Sequence, residues 1–184
     1  MNFNKFTIKS QEAIQQGQQL ALGNEQQAIQ TGHILKGVLE VDENVIPFLL
    51  KKTGVNEQAF KSALDSIVSG YPKVSGGEAY LSREASTALG KAQQLATDNQ
   101  DEFVSLEHIF QGILNGSDSV ASMMKDSGLS NNEVAKAIQE MRKGEKVNSH
   151  SAEETYNALS KYAVHLNEKA RSGKLDPVIG RDEE

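Results

Sequence analysis

The chain has 184 residues, 38% of them hydrophobic, with no Trp, four Tyr and six Phe; this suits one domain and an extension, with a core of Leu, Ile, Val and Ala. A formal net charge of −6 argues against nucleic acid as a partner, because that affinity comes mainly from Lys and Arg displacing counterions from phosphates. The absence of Cys removes disulfides, thiolate metal sites and a cysteine nucleophile together; with no apolar signal region and no bilayer-spanning stretch, a cytoplasmic protein with no membrane partner is expected.

Apolar residues recur at helical spacing along nearly the whole chain, and no segment alternates as a strand would. Thr7 reads as a helix N-cap with Gly23 as its stop, Thr31 precedes Ile34-Leu35-Val38-Leu39, Gly54 ends a helix begun near Val45, and Asn56 caps a helix reaching about Ser69. After a loop over 70–80 the order returns. Ser82 opens the stripe Ala85, Ala88, Leu89, Ala92, Leu95 and Ala96, Ser105 caps Ile109-Phe110-Ile113-Leu114, Gly128 closes a helix, and Ser130 with Glu133 predicts a capping box.

The return is a true repeat. "GHILKGVL" at 32–39 matches "EHIFQGIL" at 107–114, and residues 18–39 share nine identities in 22 with residues 93–114 at a constant offset of 75. Random pairing would give about one or two. The offset then shortens to 74, so that Gly54 matches Gly128, and Phe60 and Leu64 match Val134 and Ile138. Two units are too few for an open solenoid. The fold expected is therefore all-α: a pseudo-twofold domain over 1–143 whose two four-helix repeats, about 6–69 and 81–143, cover each other's apolar faces.

Gly37 and Gly112 recur inside helices, where Gly costs about 1 kcal/mol relative to Ala; a close helix crossing in each repeat would offset that. His33 and His108 begin equivalent helices with neither Cys nor carboxylates at ligand spacing, so a capping role is expected and a metal site is not. The polar run "RKGEKVNSHSAE" at 142–153 reads as a linker, placed at 144–152. Cutting after Lys143 is accordingly expected to leave melting of the repeats unchanged. Tyr156, Leu159, Ala163, Leu166 and Ala170 form one further helical stripe, and the closing "GKLDPVIGRDEE" stops on charge, so the chain is expected to continue past Glu184.

The paired units carrying "FTIKSQEAIQQGQQLA" and "TGHILKGVL" resemble the N-terminal domain of Clp ATPases, and "ALSKYAVHLNEKARSGKLDPVIGRDEE" is similar to the linker helix and first residues of their first AAA+ module. With Lys161-Tyr162 and the Gly-Lys-Leu-Asp-Pro run, this tail resembles the ClpB-type disaggregases more than the unfoldases of Clp proteases. The resemblance implies a linker at 144–152 and, over 153–184, a linker helix leading into an AAA+ module. It implies a mobile domain that engages unfolded or aggregated polypeptides and passes them to an ATP-driven homohexameric ring, with a DnaK-type chaperone system acting through a middle domain outside this sequence. ATP and Mg would belong to the ring: no G-x-x-x-x-G-K-[ST] loop occurs in the 184 residues, so neither hydrolysis nor a cofactor is expected of this stretch.

The same resemblance places Val178, Ile179 and Gly180 against the adenine in the ring, and assigns Thr7, Asp101 and Glu107 to substrate handling and Leu89 to a groove. A shallow apolar groove rimmed by acids would suit extended, often basic, unfolded segments. Structural roles compete at each position. Thr7 is a good N-cap, Glu107 in a first helical turn gains about 0.3–1 kcal/mol from the helix dipole, and Leu89 among alanines fits ordinary core. Two other readings stand beside the disaggregase: an adaptor-docking N-domain of a Clp protease unfoldase, and a self-standing enzyme or helical regulator with its pocket between the repeats. No G-x-S-x-G turn, phosphate loop or paired acids support the enzyme.

Overall fold

The computed structural model describes residues 1–74 and 76–156; the stripe from Leu159 to Ala170 and the residues Val178, Ile179 and Gly180 lie outside them. The first repeat holds α1 (Ile8–Gly23), α2 (Thr31–Val41), α3 (Val45–Lys52) and α4 (Glu57–Ser69), and the second α5 (Arg83–Asp98), α6 (Leu106–Leu114), α7 (Ser119–Asp126) and α8 (Asn131–Arg142). The fold is all-α, as the periodicity predicts. Helices start at the polar residues that can satisfy their free N–H groups: the side chains of Thr7, Asn56 and Ser82 accept from Ser10, Ala59 and Ala85 at 3.2, 2.9 and 3.1 Å. The box expected at Ser130 is half formed. Its hydroxyl oxygen accepts from the Glu133 N–H, and the Glu133 carboxylate takes the hydroxyl proton at 3.0 Å.

The repeats agree to the level of single backbone bonds. After the first helix of each, Glu25 (φ 59°) and Gln100 (φ 60°) adopt the left-handed conformation, and the next N–H, of Gln26 or Asp101, returns to the carbonyl of Ala21 or Ala96 at 2.8 Å, closing the helix end. The predicted close crossings are present: a β-carbon on Gly37 would overlap the carbonyl oxygen of Ala13 on α1, and one on Gly112 that of Ala88 on α5. The α1–α2 and α5–α6 pairs thus pack backbone against backbone.

One feature with no local signal in the sequence ties the repeats together. Residues before α5 pair in parallel with residues before α2, Tyr80 with Ala28 and Leu81 with Ile29, while Phe6 before α1 bridges Val104 before α6. The two pairings are related by the 75-residue offset, so each repeat lends its leading residues to the other. Helices α3 and α4 meet α6, α7 and α8 across the twofold. A single core results, with Phe60, Leu64, Val134 and Ile138 all buried in it.

The segment after α8 departs from expectation. The stretch read as a linker at 144–152 lies against the repeats: Val147 is fully buried, and it forms a second small cluster with Ala152 and Tyr156 over Phe103 and Met141. Its backbone is also engaged, since the N–H groups of Glu102 and Phe103 donate to the Val147 carbonyl at 3.0 and 3.2 Å, and that of Ile8 to the His150 carbonyl at 2.8 Å. A polar, glycine-containing composition concealed one aliphatic anchor and a set of main-chain bonds that composition does not encode.

Candidate functional site

Each repeat is organised around the histidine that lies just past its second cap. In the first, Nδ1 of His33 accepts the Gln30 N–H at 3.0 Å, which leaves the proton on Nε2 to be donated to Gln26 Oε1 at 2.7 Å. The Gln26 amide in turn donates to the carbonyls of Val68 and Tyr71, and the Tyr71 ring lies 5.1 Å from the imidazole. Burial and nearby Lys36 lower the His33 pKa to about 4, so this site is neutral. Both histidines cap, as the sequence predicts.

In the second repeat the same geometry carries charge. His108 Nδ1 accepts the Ser105 N–H at 3.0 Å and Nε2 faces Asp101 Oδ2 at 3.0 Å. Arg142, at the last position of α8, reaches Asp101 Oδ2 at 2.7 Å through Nη1 and Glu107 Oε1 at 2.7 Å through Nη2. Burial raises the Asp101 carboxyl, but hydrogen bonds from His108, the Val147 N–H and Arg142 outweigh it and hold the group well below the usual carboxylate range. Burial likewise works against the Arg142 charge, and Glu107, Tyr156 and Asp101 more than restore it.

The segment after α8 closes over this cluster. Val147 N–H donates to Asp101 Oδ1 at 2.9 Å, and the Glu153 carboxylate accepts from the Thr7 hydroxyl at 2.6 Å and the Leu106 N–H at 3.2 Å. Burial pushes the Glu153 carboxyl up, the neighbouring Glu107 carboxylate pushes it further, and the contacts with Thr7 and Leu106 only partly offset this, leaving it at about 7.

Three of the four predicted substrate residues, Thr7, Asp101 and Glu107, therefore converge, but inside the protein. Thr7 and Glu107 are fully buried and Asp101 is at 9% exposure; they do not rim an open groove. Leu89 is fully buried core. Sequence patterns alone did not point to Arg142 and Glu153, whose side-chain hydrogen-bond partners lie 34 or more residues away, nor to Ile14, the counterpart of Leu89 in the first repeat; Tyr156, read only as the start of a helical stripe, has its ring 6.0 Å from the Arg142 guanidinium. Ile14 does face a groove. Together with Phe3, Ile29, Ala79, Tyr80 and Leu81 it lines an open cavity of about 400 Å³ beside the parallel strand pair, flanked by the amides of Gln11, Gln15 and Gln18 on α1. Phe3 and Tyr80 are 37% and 55% exposed. Among the described residues no helix is long and apolar enough to cross a membrane, and no group of three or more His, Cys, Asp or Glu is placed to hold a metal ion.

The chain is thus a duplicated four-helix unit closed on itself, with an open apolar groove and a buried ionic cluster. Residues 5–127 match the model of the Clp repeat N-terminal domain, and the chain belongs to that family. It is 54% identical over its whole length to a chaperone protein ClpB of Bacteroides thetaiotaomicron and 48% identical to one of Porphyromonas gingivalis, spanning 21% of the length of each. Among solved structures, the Hsp104 N-terminal domain from Candida albicans aligns over 80% of this chain and 98% of its own at a TM-score of 0.72 and 20% identity. The N-terminal domain of ClpD from Arabidopsis thaliana aligns over 78% and 98% at a TM-score of 0.59 and 24% identity. These two share the fold.

Proposed function

We propose that this domain engages exposed apolar segments of unfolded or aggregated polypeptides and passes them to an ATP-driven ring of the ClpB type. The observation that carries the reading is the groove along α1. An unfolded chain offers apolar side chains together with unpaired N–H and C=O groups, and the groove answers with Ile14, Ile29, Phe3 and Tyr80 beside three glutamines, each able both to donate and to accept. Large apolar side chains exposed beside one another on a soluble domain mark an interaction surface. The whole-length similarity to ClpB chaperones favours the disaggregase over an adaptor-docking domain. In this reading Thr7, Asp101 and Glu107 act through the position of the segment they hold, and Leu89 through the core, while contact with clients falls to the groove.

The test is titration of isotopically labelled protein with reduced, carboxymethylated lysozyme, a permanently unfolded client. Shifts are expected at Phe3, Ile14, Ile29 and Tyr80. The double variant Phe3→Ser, Tyr80→Ser should weaken binding about tenfold or more while the fold persists, since exposed substitutions usually cost within about 0.5 kcal/mol. Unchanged affinity in the double variant would overturn the assignment of the groove.

A further inference from the structure

Three buried carboxylates, from Asp101, Glu107 and Glu153, share this region, and its one guanidinium, from Arg142, pairs with the first two, while Glu153 meets the charge of Glu107. Asp101 is fully satisfied by His108, Val147 and Arg142. Glu107 and Glu153 are not: each engages one oxygen, Glu107 with Arg142 and Glu153 with Thr7 and Leu106, and leaves its Oε2 buried without a hydrogen-bond partner, as is the hydroxyl of Tyr156. A buried carboxylate oxygen with no donor is costly, and two neighbouring carboxylates cannot both ionise cheaply in such a site. One added proton relieves both the charge excess and an orphan acceptor.

We propose that Glu153 is a proton-bearing positioning residue, which holds the segment over 145–156 against the domain when protonated and releases it when ionised. The groups shown against it are Glu107 on α6, whose charge raises it, Tyr156 on its own segment, and the neutral Thr7 at the start of α1; behind Glu107 stand Arg142 on α8 and, paired with it, Asp101 and His108. Besides main-chain and aliphatic contacts, the segment is held by the Val147 N–H on the Asp101 carboxylate, which stays ionised across this range, by Lys146 Nζ on the Asn99 carbonyl, and by His150. That ring lies 4.1 Å from Phe103 and its Nδ1 is 3.2 Å from the Phe6 carbonyl. Glu153 therefore biases a two-state element: docked, the chain beyond α8 is oriented by the repeats; released, it is a tether hinged at Lys143 and Gly144, both left-handed.

Linkage sets the sign. The docked Glu153 sits at about 7 against an ordinary value of 4.5, so the docked state holds more protons than the released one. Docking is strongest below pH 4.5, weakens as pH rises toward 7, and levels off above it. This inference stands apart from the groove, and the two fail separately because they are read at different residues.

The experiment is amide hydrogen exchange of the full 184-residue chain from pH 5 to 7.5, corrected for intrinsic rates and read at Val147 and Ile8. Protection in the wild type should fall about tenfold per pH unit through the window. Glu153→Gln keeps the acceptor for Thr7 and supplies a donor toward Glu107, so its protection should stay high and flat; His150→Gln should keep the wild-type slope. If Glu153→Gln perturbs folding, Glu107→Gln provides the second arm, with a shallower fall because the opposing charge is gone. A flat wild-type profile, a Glu153→Gln profile parallel to it, or unprotected Val147 in a folded Glu153→Gln chain would each overturn the proposal.

Discussion

The two repeats place a histidine, a cap and a glycine crossing at the same positions, and three of the aligned positions at which they differ set the two sites apart. Where the first has Gln26, Gly32 and Val68, the second has Asp101, Glu107 and Arg142. In the first repeat Tyr71 covers Gly32 and the site closes with neutral hydrogen bonds. In the second, an acid pair and its guanidinium take the corresponding space, and the chain beyond α8 is bound over them through Val147 and Glu153. The shared positions build the fold, and the divergent ones anchor the segment that leaves it. Asp101 and Glu107 do not face solvent; through Val147 and Arg142 they stand where residues 144–156 lie against the domain.

The two halves should respond most differently to the loss of Arg142. Arg142→Leu strands two buried carboxylates and is expected to cost about 3–5 kcal/mol in urea unfolding at pH 7, whereas Val68→Leu, at the aligned buried position, only adds a methylene to the core and should cost less, about 1–3 kcal/mol. Equal effects would mean that the ionic cluster is not what distinguishes the halves.

The glycine crossings, shared by both halves, should respond alike and more weakly. Gly37→Ala and Gly112→Ala each drive a methyl into a facing backbone carbonyl, and an overpacking penalty of about 1–3 kcal/mol outweighs the gain in helix propensity of about 1 kcal/mol by similar amounts in both repeats. Thermal melts of the two variants should therefore fall together. Stabilisation in either would show that its crossing has room to relax.

The helices, the caps at Thr7, Asn56 and Ser82 and the glycine crossings were legible in the sequence because each is a local signal, written within one helical turn or repeated at a fixed offset. The repeat also located the histidines as caps. What was illegible is long-range. The parallel pairs Ala28–Tyr80 and Phe6–Val104 are too short to alternate, and the Arg142 network joins residues whose proximity depends on how α8 packs. Asp101 and Glu107 were found by resemblance, and their burial was missed because an acid in a loop, like Asp101, or in a first helical turn, like Glu107, reads as exposed. Leu89 illustrates the converse: it is buried core, and Ile14, which stands at the same place in the first repeat and was not singled out, is the one that lines a groove.

Contrary to its linker-like composition, the segment after α8 is part of the domain, and the roles given to Asp101, Glu107 and Glu153 depend on that. Differential scanning calorimetry of residues 1–143 beside the full chain tests this directly. Loss of Val147, Glu153 and Tyr156 uncovers the Asp101–Arg142–Glu107 cluster and should remove about 2–3 kcal/mol, lowering the melting temperature by roughly 4–12 °C for a domain of this size. Identical melting of the two chains would contradict the account, returning 144–152 to the role of a free tether.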